Sequence, residues 1–222
     1  MATVLLNQLQ ATTLKHSKQP QPQPSLWATP QRLAAVRVNA TSGNAQQLIQ
    51  SGTVRPIPPK DAGTAVDSEG YILLDIRPEW ERVKARVSGS RHIPLFVKDP
   101  DNSPLGLLKK WVHFGYIGLW TGQNMTMINP EFLTQVETQI PDKDSKILVA
   151  CGEGLRSMMA VSKLHKSGYA NLAWLAGGFK SADDSHFPAV EGPEKLQYAT
   201  VGGASYYFLQ LLILLRAVGK ND

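Results

Sequence analysis

Four consecutive apolar residues, Ile147-Leu148-Val149-Ala150, run straight into Cys151-Gly152-Glu153-Gly154-Leu155-Arg156. A short, continuously apolar run of this kind predicts a parallel strand buried on both faces. The residues that follow take up a helical rhythm. Met158, Val161 and Leu164 fall on one side of a helix over Ser157 to Lys166, and Gly168 is placed to end it. A buried strand that feeds a helix through a tight loop constrains the whole chain towards an α/β fold. The thiol of Cys151 then looks into the loop's backbone N–H groups and the positive end of a helix, both of which favour an anion.

Most free cysteines are small core hydrophobes, and Cys151 has to be weighed against that alternative. Three features favour a nucleophile. Gly152 and Gly154 flank Glu153 and permit a tight loop where a packed strand end would not need them. Arg156 is near enough to brace that loop. The C-terminal edge of a parallel sheet is also where open α/β folds bind ligands.

Elsewhere strands and helices alternate. Asn44 to Ser51 predicts a short helix ending at Gly52. Val54 to Ile57 predicts an edge strand, because Pro56 has no N–H for a central ladder. Tyr71 to Asp75 reads as a buried strand. A helix opens at Pro78-Glu79-Trp80-Glu81 and runs towards Val87, with Gly89 as its stop. His92 to Phe96 reads as a third strand. Asn129-Pro130-Glu131 opens a helix that reaches about Ile140. Leu172 to Leu175 supplies a last strand. The expected fold class is α/β, a mostly parallel sheet with helices on both faces.

Two segments exceed that minimal domain. Residues 97–128 form a long connection carrying Trp111, Phe114, Tyr116 and Trp120, with Lys109 and Lys110 beside them. The segment suits a helix packed on the flank, or a partner or membrane surface. Leu196 to Leu215 is twenty residues without a formal charge, which reaches the minimum for a bilayer span. Gly202, Gly203, Ser205 and Gln210 dilute it, so residues 196–216 suit equally a membrane anchor or a docked hydrophobic helix.

At this stage the chain resembles a rhodanese-like domain over roughly residues 50–190. The resemblance rests on Cys151-x-x-Gly154-x-Arg156-Ser157 after an apolar strand, on Leu73-Leu74-Asp75-Ile76-Arg77, and on Gly89-Ser90-Arg91-His92-Ile93-Pro94. Gly168-Tyr169-Ala170-Asn171-Leu172 followed by Leu175-Ala176-Gly177-Gly178 completes it. Its domain boundaries are taken as 44–190. The resemblance implies a sulfurtransferase that carries sulfur as a persulfide on Cys151, between a small-molecule or protein donor and a thiol acceptor, without a cofactor. Residues 152–156 (Gly152, Glu153, Gly154, Leu155, Arg156) would form the active-site loop, with Ser157, Asp75 and Arg77 in support. Asp75 is expected to partner the loop or, equally, to be an ordinary strand-end acid that makes a turn. Arg77 is expected to face the pocket or to pair with Glu79 or Glu81.

Loop length separates this pattern from the related dual-specificity phosphatases. Four residues lie between Cys151 and Arg156, whereas the phosphatase loop has five and cradles a phosphate. Two departures stand out. The loop carries Glu153 and no basic residue before Arg156, and Leu95 follows His92-Ile93-Pro94 where Gly-Ala is usual. An inward carboxylate would repel thiosulfate. The alternative reading is therefore a catalytically quiet module that binds a protein partner at a plastid membrane.

Charge placement bears on location. Residues 1–60 contain no Asp or Glu, and six of the 23 basic residues fall there, which leaves 17 against 18 acidic residues in the remainder. A nucleic-acid-binding domain would keep its basic charge in the folded part, so nucleic acid is excluded as a partner. The acid-free start, with Gln and Pro alternating over residues 19–24, cannot build a core and matches an organelle transit peptide over residues 1–40. Ala2 after Met1, few arginines in the first thirty residues and the resemblance favour the chloroplast, in stroma or thylakoid membrane, over the mitochondrion. No His- or Cys-rich cluster offers metal ligands.

Overall fold

The computed structural model describes residues 44–218, and the leader read as a transit peptide lies outside them. Residues 44–50 are helical (α1). Five parallel strands follow the order β1-β8-β7-β2-β4. They are β1 (Val54–Ile57), β2 (Ile72–Asp75), β4 (Arg91–His92), β7 (Ile147–Ala150) and β8 (Leu172–Leu175). β1 pairs only with β8, which suits the missing N–H of Pro56. β7 is central and all four of its residues are buried. Asp75 pairs with Ala150 at the ends of β2 and β7, so Ile76 and Cys151 leave the sheet at the same edge. That edge carries the site.

Side chains alternate between two cores, as a strand period of two requires. Leu74 and Val149 join Phe132, Val136, Val161 and Leu164 on one face. That face is covered by α6 (Phe132–Gln139) and α7 (Leu155–Lys166). Leu73 and Leu148 join Ala62, Ala65, Phe179, Leu196 and Ala199 on the other. Here α2 (Pro59–Asp67) and the turns of the C-terminal segment form the cover. Val161 and Leu164 are buried as the helical rhythm predicts, and Met158 is half-buried.

Two expected elements are corrected. The helix after Pro78 is a single turn, α3 (Glu79–Arg82), and Arg86–Val87 is a strand, β3, antiparallel to β9 (Val190–Glu191). Ala85 and Val87 are both buried, a spacing of two that a strand satisfies and a helix does not. The strand read over His92 to Phe96 also divides. β4 ends at His92, and Phe96–Lys98 is β5, paired antiparallel with β6 (Thr126–Ile128).

The β5–β6 ribbon carries the aromatic segment at its tip. Its helix α4 (Pro104–His113) starts at Ser103, whose hydroxyl accepts from the Gly106 N–H at 3.0 Å. A π-helical turn, Phe114–Gly118, leads into α5 (Leu119–Thr121). The hydrophobic C-terminal stretch is not one helix from residue 196. Leu196–Tyr198 is a 3₁₀ turn, and the helix α8 occupies Gly203–Val218. Gly122 and Gly203 join α5 to α8 so closely that a Cβ on either would lie 2.5 Å from the other's amide nitrogen. Among the described residues no helix is long and apolar enough to cross a membrane.

Candidate active site

Cys151 follows the last residue of β7, and the chain turns into α7 within three further residues. Gly154 makes that turn at φ +91°, in the left-handed region open to glycine. Its N–H donates to Cys151 Sγ at 3.1 Å, and the Ser157 N–H donates at 3.3 Å. The sulfur thus caps the first turn of a twelve-residue helix. Ser157 Oγ lies 3.4 Å from the sulfur and donates to the Gly154 carbonyl at 2.8 Å. Trp174 Nε1, from β8, donates both to Ser157 Oγ and to that carbonyl, at 3.1 and 3.0 Å.

A second loop holds the first from behind. The N–H groups of Phe179 and Lys180 donate to the carbonyls of Cys151 and Gly152 at 2.9 and 2.8 Å. Gly178 lets the two backbones meet. It sits at φ +64°, and a Cβ there would lie 2.5 Å from the Cys151 carbonyl oxygen. Cys151 itself has no exposed surface, yet it lines the floor of a cleft of about 310 Å³. Pro78, Trp80, Phe96, Leu155 and Thr200 wall that cleft, with Gln123 and Asn124 from the end of the aromatic insertion. Thr200 overlies Gly152 so tightly that a Cβ on Gly152 would fall 2.1 Å from its methyl group.

The loop is tied to α3 by charge. Arg156 donates from both terminal nitrogens to Glu81, at 2.7 and 2.6 Å. Burial opposes the charge on Arg156, but the Glu81 carboxylate outweighs it, with Cys151 adding to the effect, and the guanidinium stays above its ordinary value. Arg156 is therefore a permanently charged brace, as its position in the loop predicts. Its partner is Glu81, a residue read in sequence as part of a helix start and as a candidate partner for Arg77.

Asp75 takes the second of its two expected roles, a strand-end acid that makes a turn, and Arg77 takes neither of its own. Asp75 does not partner the loop, and Arg77 faces neither the cleft nor Glu79 nor Glu81. The two bind each other with no exposed surface, Arg77 Nη2 donating to Asp75 Oδ2 at 2.7 Å and to the Ala85 carbonyl at 2.8 Å. The Arg77 guanidinium also lies over the Phe179 ring, 4.3 Å from its centroid. The reason is local: the Arg77 N–H donates to Asp75 Oδ1 at 3.0 Å, and this turn folds the arginine back onto its neighbour. Glu153 stands exposed at the rim of the cleft and accepts from Lys180 Nζ at 2.8 Å, both side chains being more than half exposed. Sequence reasoning missed Glu81, Trp174, Lys180 and Thr200. Trp174, directly before the Leu175-Ala176-Gly177-Gly178 motif, and Lys180, two residues after it, lay nearest a motif.

The family model for the rhodanese-like domain matches residues 58–184. The chain belongs to the rhodanese-like domain family. It is 60% identical over 185 residues to rhodanese-like domain-containing protein 10 of Arabidopsis thaliana, covering 83% of this chain and 86% of that protein. It is 41% identical over 161 residues to the chloroplastic rhodanese-like domain-containing protein 11 of the same plant, covering 72% of this chain and 54% of that one. A thiosulfate sulfurtransferase structure from Pseudomonas aeruginosa aligns with a TM-score of 0.42 at 14% identity, over 71% of this chain and 23% of that one. Among the described residues no group of His, Cys, Asp and Glu is placed to hold a metal ion, and the rhodanese-like site consists of one sulfur, its N–H donors and its braces.

Proposed function

We propose that this protein is a plastid sulfurtransferase that works through a persulfide on Cys151. The observation that carries the reading is the sulfur itself, on the floor of a cleft, accepting two backbone N–H groups from the start of α7. In the first step the Cys151 thiolate attacks the outer sulfur of a donor persulfide, R–S–SH. The donor's S–S bond breaks, and its inner sulfur leaves as a thiolate. Cys151 now holds Cys–S–SH. An acceptor thiolate then attacks the terminal sulfur, the new S–S bond breaks, and the Cys151 thiolate returns. One transfer becomes two displacements with no net oxidation. The Gly154 and Ser157 N–H groups stabilise the negative charge as it leaves and returns to Sγ. Ser157 and Trp174 are positioning residues that hold the Gly154 turn in place. The sequence contains one cysteine, so the acceptor thiol comes from another molecule.

The charges favour a persulfide over thiosulfate as donor. Arg156 is the only cation among the residues lining the cleft, and Glu81 occupies it. A dianion gains no free positive partner there and meets the carboxylates of Glu81 and Glu153 in the lining, whereas the persulfide group brings at most one negative charge to the transfer. Chloroplastic relatives support a plastid location. Intact mass after exposure to a cysteine-derived persulfide, and separately to thiosulfate, tests the reading. The expected result is one added sulfur with the persulfide, removed by reductant and absent in Cys151→Ser. No adduct from either donor, at a thiol that still alkylates, would leave a rhodanese-like binding module in place of an enzyme. An adduct from thiosulfate as fast as from the persulfide would overturn the donor assignment alone.

A further inference from the structure

The aromatic insertion and the C-terminal helix dispose their side chains the wrong way round for helices that cover a core. From residue 104 to 121 the buried positions are Gly106 and Gly118. Leu107, Leu108, Trp111, Val112, Tyr116 and Trp120 are each more than half exposed, Tyr116 by 88%. On α8, Tyr207, Phe208, Leu211, Leu212, Leu214 and Leu215 recur at helical spacing along one face, and each is more than half exposed. The two surfaces meet where the Trp120 and Phe208 rings lie 5.5 Å apart. A continuous apolar surface of this kind marks an interaction site.

Three observations say what covers it. Residues 104–121 and 203–218 contain no Asp or Glu, while Lys109, Lys110 and Arg216 lie among them. Tryptophan and tyrosine stand at the surface, the side chains that favour the boundary between hydrocarbon and water. The apolar side chains of residues 104–121 also point to more than one side of the helix: Leu108, Val112, Tyr116 and Trp120 follow one i, i+4 row, while Phe114 and Ile117, also exposed, lie off it. A protein groove covers one stripe, whereas a fluid lipid surface closes around several. No described helix is long and apolar enough to span.

We propose that residues 104–121 and 203–216 together form an interfacial docking surface for an anionic lipid bilayer. Both segments lie in the headgroup boundary with their aromatic and leucine side chains inserted and Lys109 and Arg216 towards the phosphates. The Cys151 cleft opens beside this surface, because Gln123, Asn124 and Thr200 adjoin the two segments and also line the cleft. Docking does not depend on the chemistry at Cys151.

Flotation of the full-length protein with vesicles tests this. Vesicles of phosphatidylcholine and phosphatidylglycerol are compared with phosphatidylcholine alone. The expected result is co-flotation that is stronger with the anionic lipid, is reduced by salt, and is reversed by alkaline carbonate. Trp111→Glu combined with Leu212→Glu should lower the bound fraction about tenfold or more. Tyr116→Glu, at the most exposed aromatic position, should weaken it less, and Cys151→Ser should leave it unchanged. Failure to float with either lipid overturns the proposal. A stable dimer in solution that the same variants dissociate, without flotation, would assign the surface to a second copy of the chain. Retention after carbonate would replace interfacial docking by a span.

Discussion

Arg77 and Arg156 each grip a carboxylate with more than one nitrogen, and the two pairs do opposite things. Arg77 and Asp75 are two residues apart, wholly buried, and distant in role from the cleft. They fix the corner where β2 leaves the sheet, and the carbonyl of Ala85 and the ring of Phe179 complete their shell. Arg156 and Glu81 are 75 residues apart, and the arginine side chain retains 26% exposure at the cleft wall. They join the cysteine loop to α3. The deeper pair organises the fold, and the shallower one organises the site. Burial of a charge is therefore no guide to its function here; what it bridges is.

The largest expected effect separates the two pairs. Arg77→Met leaves Asp75 buried without a counter-charge and should cost about 3–5 kcal/mol. Urea denaturation reads this directly, and a loss below about 1 kcal/mol would show that the corner does not need the pair. Gly178→Ala comes next. Its left-handed backbone and the 2.5 Å approach to the Cys151 carbonyl should cost about 1–3 kcal/mol, with sulfur transfer falling further than stability because the loop itself is displaced. Equal losses at Gly178 and at a remote destabilised position would deny it any special hold on the loop.

Glu81→Gln should be milder in stability, about 1 kcal/mol, because the Arg156 side chain is partly solvated. Its signature is kinetic: a lower kcat for transfer, with Cys151 alkylation by a neutral reagent altered as the loop loosens. Unchanged transfer would mean the loop closes without its charged tie. The smallest effect concerns β9. Ser88 and Arg86 hold the Glu191 carboxyl below the usual carboxylate range. Its folded value is depressed, so the stabilisation is present above the ordinary carboxylate range and is lost as pH falls through the folded value. Glu191→Gln should lower the thermal midpoint slightly at neutral pH and not at all in strong acid. A difference independent of pH would mean the contribution is not ionic.

What the sequence disclosed is local. β7, the six-residue loop, α7 and β8 are read from residues that touch their own neighbours, and Gly154 and Ser157 fall where the Cys-x-x-Gly-x-Arg-Ser pattern places them. The braces are long-range, and no spacing announces them. Glu81 meets Arg156 across 75 residues, and Lys180 meets Glu153 across 27. Arg77 was misassigned because three acids lay within reach, and only the turn at residue 77 selects Asp75. β3 escaped because two residues of strand carry too little periodicity to outweigh a helix start at Pro78. The split at Pro94 follows from chain direction, which turns β5 out of the main sheet to pair with β6.

Thr200, seated over Gly152, has a practical consequence for where this domain begins and ends. The residues that match the family model stop at 184, yet the lid of the cysteine loop lies sixteen positions beyond, and Leu196 and Ala199 fill the second core with no exposed surface. At the other end, β1 precedes residue 58 altogether. A recombinant fragment trimmed to 58–184 would lack one edge of its sheet, leave a hole against Ala62 and Phe179, and uncover its nucleophile. The residues that pack the sheet, both cores and the cleft lid run from about residue 44 to Thr200, and any excision or fusion of this module has to respect those wider borders.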